Sequence, residues 1–127
     1  MARILVIDDD DLVRAALTDI LEEGGHEVLA PGRDKDPLAV ALREKYDLLL
    51  TDVFLPQVAG WDLIQAVRHE RPRLPVIAIS GGGMAVQAEL ALKISELTGA
   101  DFVLPKPMDA NLLLETVAKA LSRGKPN

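Results

Sequence analysis

The chain has 127 residues, enough for one domain that buries about two thirds of its unfolded surface. Its net charge is −6, with 14 Lys and Arg against 20 Asp and Glu, so it lacks the clustered cations that a nucleic-acid backbone binder needs. It has no Cys for disulfide or thiol chemistry, and no apolar run approaches the roughly 18 residues of a membrane span, so a cytoplasmic protein with no membrane partner is expected.

The first predicted element is a buried strand, Ile4-Leu5-Val6-Ile7, cut off by the acidic turn Asp8 to Asp11. Leu12, Val13, Ala16, Leu17, Ile20 and Leu21 then recur at helical spacing, with Asp10 or Asp11 as N-cap and Gly24-Gly25 as the stop. A short strand, Glu27 to Ala30, precedes a polar loop. Asp36-Pro37 opens a short helix to about Lys45. The apolar run from Leu48 to Val53 has the length and composition of a buried strand, and it carries Asp52 near its end. Leu63, Ile64 and Val67 mark a third helix that stops before Pro72, with Trp61 half buried at its start. The strand Pro75 to Ile79 runs into Ser80 and Gly81-Gly82-Gly83. Val86, Leu90, Ile94 and Leu97 line one side of a fourth helix that Gly99 closes. Phe102-Val103-Leu104 is a fifth strand, ending in Pro105-Lys106-Pro107. Asp109 caps the last helix, whose inward residues are Leu112, Leu113, Val117, Ala120 and Leu121. These elements are expected to form one domain over residues 1–122, with a short polar tail at 123–127 and no output domain.

Five strands alternating with five helices predict an α/β fold, a mostly parallel sheet with helices on both faces. Ligands of such sheets bind outside the C-terminal strand ends. Strand one ends in Asp8-Asp9, strand three in Asp52, strand four in Ser80 and strand five in Lys106. Three crowded carboxylates repel one another, each pair about 4 Å apart by roughly 4 kcal/mol at an effective dielectric near 20. A hard cation such as Mg2+, an ammonium, a hydroxyl donor and a carboxylate nucleophile together describe phosphoryl transfer to Asp. The remaining candidates read as ordinary surface: Asp10 and Asp11 as solvated caps, and His26 and His69 as exposed residues.

These residues give the chain its likeness. It resembles the receiver domain of two-component response regulators over essentially its whole length. The matching features are Ile7-Asp8-Asp9, Asp52 with Pro56 and Gly60 behind it, Ser80, Gly99-Ala100-Asp101, and Lys106-Pro107. The resemblance implies a flavodoxin-like, doubly wound sheet of order 2-1-3-4-5. It implies that Asp52 takes a phosphoryl group from a histidine kinase or histidine phosphotransfer protein. It further implies that Asp9, Asp52 and the backbone carbonyl of Phe54 ligate Mg2+, that Asp8 holds a metal-bound water, and that Lys106 and Ser80 bind the phosphoryl oxygens.

The sequence departs from the family at one switch position. Three residues before the lysine, where the family carries an aromatic ring, stands Val103, with Phe102 on the opposite face of the strand. The segment between Ser80 and Lys106 is also longer than usual, so the strand-four to helix-four region, including the triple glycine, is expected to carry the conformational change. The chain reads as a stand-alone receiver or an excised domain, and Met1 just before the first strand favours the former. It is not expected to be an enzyme with a separate substrate. The alternatives are a Mg2+-dependent phosphohydrolase with Asp52 as nucleophile and an adaptor that is never phosphorylated.

Overall fold

A computed structural model describes residues 2–53, 55, 60–80, 93, 95–106 and 108–124. The strands are β1 (Arg3–Ile7), β2 (Glu27–Leu29), β3 (Leu48–Asp52), β4 (Val76–Ser80) and β5 (Phe102–Pro105). The helices are α1 (Asp11–Glu23), α2 (Pro37–Arg43), α3 (Gly60–Glu70), α4, of which residues 93 and 95–98 are described, and α5 (Ala110–Gly124). All strands pair in parallel in the order β2-β1-β3-β4-β5. The chain steps outward from β1 to β2, then returns past β1 to β3, which puts the topological switch between β1 and β3.

Period-two alternation sorts the strand side chains into two cores. Leu5, Ile7, Leu49 and Val76 face the layer that contains Leu63, Ile64 and Val67 of α3. Ile4, Val6, Leu48, Leu50 and Ile77 face Leu17 and Leu21 of α1 and Leu113 and Val117 of α5. Both faces of β1, β3 and β4 are covered, so these strands read as unbroken apolar runs rather than alternating ones. Val103 packs against the first core and Phe102 against the second, on opposite faces as expected.

The helix ends follow from local chemistry. The Asp10 carboxylate accepts from the amides of Leu12 at 2.9 Å and Val13 at 3.3 Å. Asp36 does the same for Leu38, with Pro37 at the first helical position, and Asp109 accepts from Leu112. The chain leaves α1 through Gly25 at φ 90°, a conformation that a side chain would strain.

Several boundaries and faces differ from the sequence pattern. β2 ends at Leu29, α2 at Arg43 and β3 at Asp52, while α5 runs to Gly124, two residues past Ser122. Leu12 is 82% exposed because the first turn of α1 stands level with the strand ends, not over the sheet. Ala16 is exposed too, leaving Leu17 and Leu21 as the buried stripe. Leu112 is exposed beside buried Leu113, since neighbours on a helix point about 100° apart. Leu97 is also exposed rather than inward, whereas Trp61 is half buried, with 42% exposed.

Candidate functional site

The sheet register assembles the site. Ile7 pairs with Thr51, Asp52 with Ile79, and Ser80 with Pro105, so the strands finish level at one edge. Asp8 follows β1, Asp52 and Ser80 end β3 and β4, and Lys106 follows β5. Asp8, Asp52 and Ser80 are all buried, in a setting where an unpartnered charge is costly.

Lys106 supplies the partner. Its Nζ lies 2.9 Å from Asp52 Oδ2 and 2.9 Å from Asp8 Oδ2, so one ammonium bridges two carboxylates. Its amide donates to the Ser80 carbonyl at 3.1 Å, which ties the start of the β5–α5 turn to the end of β4. The other oxygen of Asp8 accepts from the Asp10 amide at 2.9 Å. Oxygen atoms of Asp8, Asp9 and Asp52 all lie within 4.8 Å of one another.

Burial pushes the Asp8 carboxyl above the usual carboxylate range, and the nearby Asp52 charge adds to this. The Asp10 amide and the Lys106 ammonium oppose the rise without cancelling it. Burial disfavours the charged form of Lys106, but hydrogen bonds and charges from Asp52 and Asp8 outweigh it and raise its pKa. One ammonium therefore serves two of the three clustered carboxylates. This excess of hard oxygen donors suits a divalent cation.

The structure thus brings Asp8, Asp9, Asp52 and Lys106 together and sets Ser80 beside them at the same edge. Phe54 lies outside the described residues, as do Pro56, Gly81 to Gly83, Val86, Leu90, Ile94 and Pro107. A small open cleft lies on the Asp8–Asp9 side, with Arg33 and Lys35 on its lining.

Residues 4–118 match the family profile of the response regulator receiver domain. The chain belongs to this family. It is 36% identical over 118 residues to the response regulator protein FleR of Pseudomonas aeruginosa, covering 93% of this chain and 24% of that protein. It is 37% identical over 125 residues to the DNA-binding transcriptional regulator NtrC of Azospirillum brasilense, covering 98% of this chain and 25% of that one. The chain spans about a quarter of the length of these two relatives. Protein PilH of Pseudomonas aeruginosa is 32% identical over 124 residues, with 96% of this chain and 99% of PilH covered. Among solved structures, a receiver-domain protein from Clostridium thermocellum superposes with a TM-score of 0.82 at 27% identity, covering 97% of this chain and 96% of the other. A CheY-like receiver-domain protein from Methanospirillum hungatei gives 0.81 at 29% identity, covering 98% and 96%.

Two supports of this receiver site have local physical causes. The Asp101 carboxylate accepts from the Val76 amide at 2.8 Å and from Arg68 at 3.1 Å, and Arg68 also donates to the Gly99 carbonyl. Asp101 therefore ties the entry of β5 to the entry of β4, which gives the Gly99-Ala100-Asp101 motif its physical meaning. Gly60 sits where α3 starts against the end of β3, its amide donating to the Val53 carbonyl at 2.9 Å. A methyl at Gly60 would lie 2.6 Å from the Asp52 oxygen and 2.6 Å from two backbone atoms of Val53. Backbone cannot yield as a flexible side chain can. Gly60→Ala is expected to destabilise the fold by about 1–3 kcal/mol, seen as a lower urea midpoint at unchanged slope. An unchanged midpoint would show that the α3 start shifts freely.

Arg14 was not singled out by the sequence. Its Nη1 donates to the Asp8 carbonyl at 2.9 Å, and its Nη2 pairs with Asp11. The available signal was the spacing of Arg14 from Asp11, three residues along one helix face.

Proposed function

We propose that this receiver domain is a phospho-acceptor in which Asp52 takes a phosphoryl group from the phosphohistidine of a kinase or phosphotransfer protein. The observation that carries the reading is the Lys106 ammonium held 2.9 Å from both Asp52 and Asp8. A cation fixed on the acceptor carboxylate is placed to neutralise charge gathered there by an incoming phosphoryl group. Transfer breaks the donor's P–N bond and forms a P–O bond to Asp52, and the released imidazole nitrogen takes up a proton. Lys106 and Ser80 bind the phosphoryl oxygens.

Asp9 and Asp52 would hold Mg2+ directly and Asp8 through a water, with the Phe54 carbonyl as a further ligand. When bound, the ion would offset the carboxylate charge and the charge brought by a phosphoryl group. The domain assists its own phosphorylation and dephosphorylation without turning over a separate substrate. It acts in the cytoplasm, through downstream proteins rather than nucleic acid or membrane. The β4–α4 region carries the conformational change, because Val103 offers no ring to move and few side-chain rotamers. The receiver fold to the end of α5 at Gly124 suffices for this chemistry.

Incubation with autophosphorylated histidine kinases, with acetyl phosphate in parallel, is expected to transfer one labelled phosphoryl group per chain. A chain that takes no label from either donor overturns the reading. Continuous release of phosphate from small esters would favour a phosphohydrolase instead.

A further inference from the structure

We infer that Arg14 is a positioning residue for the acidic turn, holding the peptide that carries Asp9 in its metal-binding orientation. The inference rests on the reading that Asp8, Asp9 and Asp52 hold a divalent cation. The Asp8–Asp9 peptide is restrained by Arg14, whose Nη1 donates to the Asp8 carbonyl at 2.9 Å. On the other side of the turn, the Asp10 amide donates to Asp8 Oδ1 at 2.9 Å, and Asp10 caps α1. The Arg14 guanidinium is itself fixed, because its second arm pairs with Asp11 and only 14% of its side chain is exposed. One fork thus joins the carbonyl of the turn to the first turn of the helix that follows. Asp9 is only partly buried, and no hydrogen bond to its carboxylate is among those described, so its direction depends on its backbone. Groups that orient metal ligands from behind typically change affinity 10- to 100-fold when removed.

The sign of the effect separates this role from simple charge. Arg14 is a cation near a cation site, so removing its charge alone would tighten Mg2+ binding. Removing its hold on the turn weakens it. The test is Mg2+ titration by calorimetry on the parent, Arg14→Met, Arg14→Lys and Asp9→Ala, with melting temperatures measured without metal.

Arg14→Met is expected to bind Mg2+ 10- to 100-fold more weakly than the parent. Arg14→Lys keeps the charge but loses the planar fork, so it is expected to fall between the two. It also stands in if Arg14→Met does not fold. The metal-free melting temperature of Arg14→Lys should stay near the parent's, which sets lost positioning apart from general loosening. Parent-like or tighter binding by the Arg14 variants, while Asp9→Ala loses Mg2+, overturns the positioning role alone. A parent that does not bind Mg2+ overturns the metal reading and this inference with it.

Discussion

Asp52→Asn is expected to abolish the acid-stable, base-labile phosphoryl label that forms with acetyl phosphate and Mg2+. The amide has the shape of the carboxylate but is not a nucleophile, so the loss should be complete rather than graded. The fold should survive, because the variant removes one of three mutually repelling carboxylates and leaves Lys106 its contact with Asp8. Metal-free stability should therefore equal or slightly exceed the parent's. Asp8 and Asp9 lie within 4.8 Å and make an internal control, since either would take the label if proximity to the donor were all that mattered. A folded Asp52→Asn protein that labels at the parental level would assign the acceptor elsewhere.

Lys106→Met carries the second large effect, and here the expectation concerns stability as well as chemistry. The substitution keeps length and removes the ammonium that bridges Asp52 and Asp8. Removing one member of a buried ion pair typically costs 3–5 kcal/mol. One fifth of the Lys106 side chain is exposed, so screening brings the expected loss at neutral pH without metal to about 1–3 kcal/mol. The pH dependence has a definite sign. The raised pKa of Lys106 means its contribution is whole below 10.5 and disappears as pH climbs through the raised value, so parent and variant should converge at alkaline pH. The raised pKa of Asp8 acts the other way. Its ionisation begins to cost stability as pH rises above 3.8 toward the raised value, so the variant should recover relative to the parent in mild acid as Asp8 takes up its proton. Urea unfolding at a series of pH values, with and without Mg2+, measures both arms. Equal stability of the two proteins across neutral pH would sink the bridging role of Lys106.

The strand ends were legible because strands buried on both faces leave long apolar runs, and a charged residue that stops such a run stands out. Asp8, Asp52 and Lys106 were found in this way. Lys106 reaches Asp52 across 54 residues of sequence, and no local pattern shows one ammonium serving two acids. That is a consequence of the sheet order, which places β1 beside β3 and β5 within reach of both. Helical spacing identified α1 but not which of its apolar residues lie over the sheet, so Leu12 read as buried although it is 82% exposed. Arg14 was missed for a related reason. A basic residue near acidic ones on a helix reads as a surface pair, and only the fold shows its other arm meeting the backbone of the acidic turn.

Trp61 is the only tryptophan in the chain, and 42% of it is exposed. One peptide bond joins it to Gly60, whose amide is fastened to the Val53 carbonyl one residue beyond Asp52. A shift of the β3 end is expected to carry this glycine with it and to change how much solvent meets the indole. Indole emission depends on how much water touches the ring, so the chain carries its own optical reporter of events at the acceptor carboxylate. Phosphorylation of Asp52 is expected to change Trp61 emission, and stopped-flow fluorimetry on the unlabelled protein, with Asp52→Asn as control, measures it.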